Sequence, residues 1–159
     1  MKISTLHLDT SVIGGCFDDE WEEATLELFR QAGLGLYHLA TSVVATREVL
    51  GAPAEVRQQF ASTFTDSAQI HELTAEAESL AQAYLPASVV TPKYADDARH
   101  VAIATDQGLT VIVSWNFHHL VNLCREAGFN AVNLLEGYPP VRIVSPLELI
   151  HENDEDENL

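Results

Sequence analysis

The chain has 159 residues, 47% of them hydrophobic, and a formal net charge of −16 at pH 7. This length and composition fit one globular domain. No apolar run approaches the ~18 residues of a transmembrane helix and no signal peptide precedes the first strand, so we expect a cytoplasmic protein with no membrane contact. An acidic surface repels phosphate, so any nucleic-acid contact must come from local basic residues, a bound metal or a partner chain.

Hydrophobic periodicity, together with glycine and proline stop signals, predicts strands that alternate with helices. In chain order the predicted elements are a strand (3–8), a helix (18–32), a strand (36–40), helices (43–50 and 54–64), a short strand (69–73), helices (75–84 and 94–106), a strand (111–113), a helix (117–127), strands (131–134 and 142–144) and a final helical turn from Pro146. This alternation predicts an α/β fold with a mostly parallel sheet that is covered by helices on both faces.

The sequence shows no internal repeat, low-complexity linker or second domain. We therefore predict one domain over residues 1–150. The remaining residues, 151–159, include five acids and are predicted to form a disordered, solvated tail.

Asp9 is the most informative residue because it closes the apolar run 3–8. The next residues are Thr10 and Ser11, followed by Gly14 and Gly15, and they read as a small-residue loop. A carboxylate in this position lies at the C-terminal edge of the sheet, where open α/β sheets bind ligands. The alternative is that Asp9 serves only as a turn or helix-cap residue.

Two further acids are expected at the same edge of the sheet. Glu48 lies on the short helix after the second strand, and Asp97 lies in the first turn of a helix of mostly small, apolar residues. Three converging carboxylates cannot all stay ionised without a counter-charge, and a divalent metal is the usual one. Alternatively, Glu48 is an exposed helix charge or a partner of Arg47, and an acid in the position of Asp97 caps its helix.

A polar segment follows the strand at 111–113 and reaches the same edge. Within it, Asn116 can donate and accept hydrogen bonds but carries no charge. It is a candidate for the site or, alternatively, the cap of the helix that follows. Lys93 and Arg99 flank the acids of the preceding helix and could steer phosphate or remain solvated charges. No Walker motif, dinucleotide fingerprint or zinc-ligand spacing is present.

Two other residues carry open alternatives. His100 follows Asp97 by about one helical turn and could be a ligand or a base, although a buried histidine with satisfied hydrogen bonds is the more common case. Trp21 lies within an acidic stretch and would be exposed unless something packs on it. We therefore consider a dimer interface or another protein–protein interface at this tryptophan.

Taken together, these segments resemble the PIN-domain family, which includes the VapC-type toxins of toxin–antitoxin pairs. The resemblance covers residues 1–150. It rests on Asp9-Thr10-Ser11 after the first strand, Glu48 on the second helix, Asp97-Ala98 at the start of a buried helix, and Ser114-Trp115-Asn116-Phe117 after the next strand.

The resemblance implies a three-layer αβα sandwich whose mostly parallel sheet has about five strands in the order 3-2-1-4-5. It also implies dependence on Mg²⁺ or Mn²⁺, ribonuclease activity on RNA, a cognate antitoxin partner and a homodimer. The acids of the family's metal site fall on Asp9, Glu48 and Asp97. Many members carry a fourth acid where this chain has Asn116, and this departure removes one charge from the site.

We expect Asp9 and Asp97 to hold the principal metal, Glu48 to hold or orient water, and Asn116 to position water or the phosphate. Ser11 and Ser114 would orient these ligands. The sequence thus predicts a metal-dependent ribonuclease, the toxin of a type II toxin–antitoxin module. One alternative is a catalytically weakened PIN-like binding or regulatory protein, which Asn116 and the negative charge favour. A receiver of the aspartyl-phosphate type fits less well, because Ser11 occupies the position of its usual second acid.

Overall fold

Five parallel strands form the centre of the computed structural model, which describes residues 2–152. The strands are β1 (Ser4–Leu8), β2 (Tyr37–Ser42), β3 (Ile70–His71), β4 (Val111–Val113) and β5 (Arg142–Val144). Their order in the sheet is β3-β2-β1-β4-β5, and each neighbouring pair is parallel. This confirms the predicted α/β class and the predicted strand order, with a third strand shorter than the segment 69–73.

Helices connect the strands and cover the sheet. They are α1 (Thr10–Gly15), α2 (Glu22–Gly33), α3 (Val43–Val49), α4 (Ala54–Thr63), α5 (Ala75–Tyr84), α6 (Ala95–Asp106) and α7 (Leu123–Leu135). Short 3₁₀ turns lie at Ser67–Gln69, Pro92–Tyr94 and Pro146–Glu148.

Two hydrophobic cores lie on opposite faces of the sheet. On one face α5, α6 and α7 pack on Ile112 and Ile143, and on the other face α1, α2 and α4 pack on Leu6, Leu8 and Val113. Successive residues of a strand point to opposite faces, and this alternation explains why Ile112 and Val113 belong to different cores. Burying a leucine side chain of this kind contributes roughly 1.5–3 kcal/mol. The two cores fix the strand ends that carry the polar side chains.

Near the N-terminus the structure differs from the prediction in two places. The segment after Asp9, predicted as a loop, is the helix α1, in which Val12 and Ile13 are fully buried. A helix of six residues is too short to show a clear period, and its two glycines have low helix propensity. The helix predicted to begin at residue 18 begins at Glu22 instead, after a turn in which the amide of Trp21 donates to the carbonyl of Asp18.

A further difference concerns the last helix. The predicted helix at 117–127 is confirmed only over 123–127 and the predicted strand at 131–134 is wrong, because α7 begins at Leu123 and continues to Leu135. Asn122 starts this helix, since its side chain accepts a hydrogen bond from the Arg125 amide. Gly128 does not end the helix but lies inside it, where an added Cβ would lie 3.2 Å from a methyl carbon of Val89. The glycine therefore allows α7 to pass close to the segment after α5.

The predicted tail lies mostly outside the described residues. Its first residue, His151, is hydrogen-bonded to α2, because its amide donates to Gln31 Oε1 at 2.8 Å and its carbonyl accepts from Gln31 Nε2 at 2.9 Å. Residues 153–159 fall beyond the described range. Within residues 2–152, no helix has both the length and the apolar character that crossing a membrane requires.

Candidate carboxylate site at the sheet edge

The candidate site lies where β1 and β4 end side by side. Leu8 pairs with Val113, and the amide of Asp9 donates to the carbonyl of Val113 at 3.1 Å. The chain order reverses between these two central strands, so Asp9 and Ser114 emerge at the topological switch point of the sheet. Open α/β sheets bind their ligands at such points.

Asp9 is held by two serine hydroxyls. Ser11 Oγ donates to Asp9 Oδ1 at 2.6 Å, and Ser114 Oγ donates to Asp9 Oδ2 at 2.5 Å. The side chain is only 5% exposed, and burial raises the pKa of Asp9 in spite of these hydrogen bonds. The two serines are themselves fixed, because they accept hydrogen bonds from the amides of Trp115 and Asn116. The orientation of the carboxylate is therefore set by the backbone that follows β4.

Asp97 lies in the first turn of α6 and is electrostatically coupled to Asp9. Burial is the main cause that raises the pKa of Asp97 to about 6, and the negative charges of Asp9 and Glu48 raise it further. Asn116 Nδ2 donates to Asp97 Oδ2 at 3.4 Å, a long contact. The structure thus brings Asp9, Asp97, Glu48 and Asn116 into one neighbourhood, in which the charges of Asp9 and Glu48 act on Asp97.

Glu48 is the most open of the three acids, with 40% of its side chain exposed. Its Oε1 accepts from Thr10 Oγ1 at 3.1 Å and lies 3.0 Å from Nε2 of His100, which is buried. On the other side of that ring, His100 Nδ1 lies 3.2 Å from Ser42 Oγ and 3.4 Å from His7 Nε2. With Nε2–H donating to the carboxylate, Nδ1 is the acceptor for both groups.

His100 is therefore a buried histidine with hydrogen-bond partners, as in one of the two sequence interpretations, and it also contacts a site residue. The sequence did not predict the contact between His100 and Glu48. The available signal was that His100 follows Asp97 by three residues, which places the two side chains on neighbouring positions of α6. His7, beneath it in β1, is fully buried, and burial lowers the pKa of its imidazole well below the usual value. The Nδ1 atom of His7 has no hydrogen-bond partner among the described residues.

Asn116 combines the two roles considered for it. Its Oδ1 accepts from the amide of His119 at 2.9 Å, which is a cap-like contact for the turn that follows, while its Nδ2 faces Asp97. The amide orientation is thus defined, because the oxygen is engaged by the backbone. The nitrogen is left as the donor that points to the carboxylates.

Positive charge near the site is distributed unevenly. Arg99 donates to Glu78 and to Asp96, each at 2.9 Å, and is therefore not free to bind phosphate. Within residues 2–152, no Lys or Arg forms an ion pair with Asp9 or Asp97. In this part of the chain, the buried Asp9 and the half-buried Asp97 thus have no lysine or arginine partner.

The donor set can be compared with what a divalent metal requires. Among residues 2–152, no group of three or more His, Cys, Asp or Glu side chains is arranged to hold a metal ion. Mg²⁺, however, is commonly bound through one or two carboxylates and keeps several waters. Asp9 and Asp97 supply two such carboxylates, and the mutual repulsion that raises the pKa of Asp97 is what a cation would relieve. The chemistry of these two carboxylates is compatible with Mg²⁺, while their role as metal ligands and that of Glu48 stay predictions.

The sheet order, the helical layers and the acids at the switch point define a PIN-like fold. In its fold the chain is similar to a chain of FitAB bound to an IR36 DNA fragment, with a TM-score of 0.57, 14% identity, and coverage of 93% of this chain and 99% of that one. It is also similar to FitAcB from Neisseria gonorrhoeae, with a TM-score of 0.50, 16% identity, and coverage of 89% and 98%. No protein-family model and no curated protein matches the chain.

Proposed function

We propose that this protein is a divalent-metal-dependent ribonuclease and the toxin component of a type II toxin–antitoxin module. The observation that carries the proposal is the pair Asp9 and Asp97, two coupled carboxylates with raised pKa values at the switch point of the sheet. Acids held in this way, without a cationic side chain, are typical of sites that bind a metal or transfer protons. The similarity in fold to FitAB supports the PIN-like fold, and the toxin role follows from the sequence resemblance to PIN-domain toxins.

Asp9 and Asp97 would hold Mg²⁺ or Mn²⁺, with Glu48 as the third candidate. When bound, the cation neutralises charge on the scissile phosphodiester and activates the attacking water. The hydroxyls of Ser11 and Ser114 keep Asp9 in one orientation, so that its oxygens do not have to reorganise when the ligand arrives.

The other site residues have distinct tasks in this proposal. Glu48 is open to solvent and is oriented by Thr10 and His100, so it can hold a water molecule beside the phosphate. Asn116 directs its Nδ2–H group to the carboxylates and can donate to a phosphate oxygen there. Together these groups bind, orient and accept protons around one phosphodiester bond.

One lysine near the site supports an anionic substrate in spite of the net charge of −16. Lys93 Nζ lies 5.5 Å from the ring centroid of Tyr94, and that ring packs on His119 with centroids 3.7 Å apart and planes 31° from parallel. His119 in turn contacts Asn116 through its amide. A lysine can contact the phosphates of a nucleic acid, and aromatic rings can contact its bases.

We further propose a cognate antitoxin and a homodimer as partners of the chain. The sequence resemblance to PIN-domain toxins implies both partners, and FitAB, which has a similar fold, was solved bound to a DNA fragment. The present chain also exposes large apolar side chains on α7, namely Leu123 at its start and the adjacent Leu134 and Leu135 at its end. An exposed pair of leucines such as Leu134 and Leu135 can contribute to a protein–protein contact.

A second candidate function is a PIN-like binding or regulatory protein with little catalysis. Asn116 favours it, because it stands where many family members carry an acid, and so does the lack of a ready three-ligand group among the described residues. Metal binding separates the two candidates, since a binding protein has no use for a cation between Asp9 and Asp97.

The test is cleavage of mixed single-stranded and structured RNA with Mg²⁺, Mn²⁺ or EDTA. Wild type would be compared with Asp9→Asn and with Asp106→Asn, a matched control at the opposite end of the helix that carries Asp97. We expect metal-dependent cleavage that is lost in Asp9→Asn and kept in Asp106→Asn. No cleavage by wild type with either metal, together with no metal binding by calorimetry, would leave the binding protein as the better account.

A further inference from the structure

The only two tryptophans of the chain stack on each other beside the carboxylate site. The rings of Trp21 and Trp115 have centroids 4.3 Å apart and are 18° from parallel. Trp115 is 7% exposed and is fixed by a hydrogen bond from its Nε1 to Thr25 Oγ1 at 2.9 Å. Trp21 precedes α2 and is more open to solvent. It is therefore covered in part by its own chain, and a partner is not needed to explain its position.

This stack lines a cavity of about 480 Å³ that continues to the proposed catalytic residues. Ser11 and Asn116 line the same cavity, and they are the residues that contact Asp9 and Asp97, respectively. The exposed ring of Phe117 lies nearby, with its centroid 5.6 Å from that of Trp21. A molecule in the cavity would thus contact Ser11 and Asn116, the neighbours of the carboxylates, and rest on the indole rings.

The lining favours a flat, neutral heteroaromatic group over a phosphate. Among the residues that the structure describes, no Lys or Arg lines the cavity, whereas Asp18 does. The carboxylate of Asp18 would repel phosphate while accepting from an amino or imino N–H. Indole rings bind nucleobases through stacking that tolerates any base, because every base has a π-face. The volume also lies within the range of roughly 300–1,000 Å³ that is common for ligand pockets.

We propose that this cavity, which we call the tryptophan shelf (Trp21, Trp115 and the adjoining Asp18), binds one nucleobase of a single-stranded RNA next to the bond that is cut. The proposal rests on the proposed ribonuclease function and adds the substrate class. A base inside a duplex is stacked between its neighbours and cannot lie on the shelf. The enzyme is therefore selective for unpaired nucleotides at this position.

Intrinsic fluorescence provides a direct test because both tryptophans belong to the shelf. The full chain in EDTA would be titrated with a short single-stranded RNA, with the same RNA carrying an abasic position, and with its duplex. We expect the single strand to quench the fluorescence strongly and the duplex to quench it little. When the abasic position is the one that occupies the shelf, the abasic strand should quench less than the intact strand.

Binding of a dye-labelled strand, followed by anisotropy, gives the affinity for variants of the shelf. Trp21→Leu keeps an apolar side chain but removes the ring, and we expect it to weaken binding roughly 5- to 100-fold, as loss of one stacked base does. Trp21→Tyr restores a ring and should regain most of the affinity. Leu34→Ala, at the exposed far end of α2, is the matched control and should bind like wild type.

The outcomes separate this inference from the proposed function. If wild type cuts RNA and Trp21→Leu binds and cuts equally well, the shelf is wrong and the ribonuclease stands. If Trp21→Leu changes the oligomeric state and leaves RNA affinity unchanged, the stack is an interface between proteins and the shelf is again wrong. If wild type neither binds nor cuts RNA with any metal, the proposed ribonuclease function is wrong, and the proposed base-binding role of the shelf is wrong as well.

Discussion

Asp97 lowers the stability of the metal-free protein, and its neutral replacement should remove this effect. Burial and the charges of Asp9 and Glu48 raise the pKa of Asp97 from 3.8 to about 6. At 1.36 kcal/mol per pH unit this difference corresponds to about 3 kcal/mol in the free energy of unfolding above pH 6. Because the side chain is partly open to solvent, we expect about 1–2 kcal/mol. Asp97→Asn keeps the size and the acceptor for Asn116, so it should stabilise the protein by this amount at neutral pH.

The pH dependence follows from the direction of the shift. The folded state binds the proton of Asp97 more tightly than the unfolded state, so this contribution to stability is fully present below about pH 4. It is lost as the pH rises through about 6, the pKa in the folded state. The variant has no proton to lose at this position. The gain from Asp97→Asn should therefore be largest near pH 7.5 and should vanish near pH 4.

Urea unfolding followed by circular dichroism in EDTA, at about pH 4 and about pH 7.5, measures this difference. Asp96→Asn is the matched control, because Asp96 accepts from Arg99 at 2.9 Å and its loss should cost up to ~1 kcal/mol at neutral pH. Saturating Mg²⁺ should make wild type more stable than Asp97→Asn, which reverses their order in EDTA. A ligand at 100 times its Kd raises the free energy of unfolding of the protein that binds it by about 2.7 kcal/mol. If Asp97→Asn destabilises the protein at neutral pH as Asp96→Asn does, the repulsion argument is refuted.

Three further predictions concern the surroundings of the site. Lys93→Gln should weaken RNA binding and reduce the slope of log affinity against log salt concentration by about one unit. Lys2 precedes β1 at the opposite edge of the sheet, so Lys2→Gln should change neither the affinity nor the slope. Binding titrations at several salt concentrations measure both. Gly15→Ala should lower the free energy of unfolding by about 1–3 kcal/mol, because the added Cβ would lie 2.6 Å from Nε1 of Trp115. Gly14→Ala is the control and should be neutral or stabilising, because its Cβ would meet nothing within 4 Å. Thermal or urea unfolding measures both. Asn116→Asp should tighten Mg²⁺ binding in calorimetry and lower the stability of the metal-free protein at neutral pH; unchanged metal affinity would contradict its place beside the metal.

The sheet and its edge could be predicted because their signals are local. An apolar run that ends in an acid indicates a strand end, and alternating strands and helices indicate a parallel sheet. The position of α7 could not be predicted, because the segment 117–122 has apolar residues at helical spacing and Gly128 resembles a stop signal. The decisive facts are tertiary. Asn122 caps the helix, and Gly128 lies against Val89, whose side chain would have to shift slightly to admit an added Cβ.

The candidate site was predictable as a set of residues but not as a geometry. Asp9 and Asp97 were expected at one edge, and the structure brings them into electrostatic contact. The hydrogen bond that joins Ser114 to Asp9 spans 105 residues of sequence, and no local pattern encodes it. The same holds for His7 and His100, whose rings meet between β1 and α6. Such contacts depend on strand register and on helix position, which the sequence pattern does not determine.

The effect of Asp97 on stability also helps to choose between the metal-dependent ribonuclease and the PIN-like binding protein. A buried acid without a cationic partner destabilises a fold, so its presence indicates a ligand that the fold is built to receive. Asn116 reduces the repulsion around Asp97 in the metal-free protein but does not abolish it. An acid there would add a further charge next to Asp97, raising both the repulsion in the metal-free protein and the attraction for a cation. With an amide instead, the metal-free fold is more stable and the metal is bound less tightly. The proposed nuclease should therefore need a higher metal concentration than its Asn116→Asp variant, whereas a binding protein would show no metal dependence in either form.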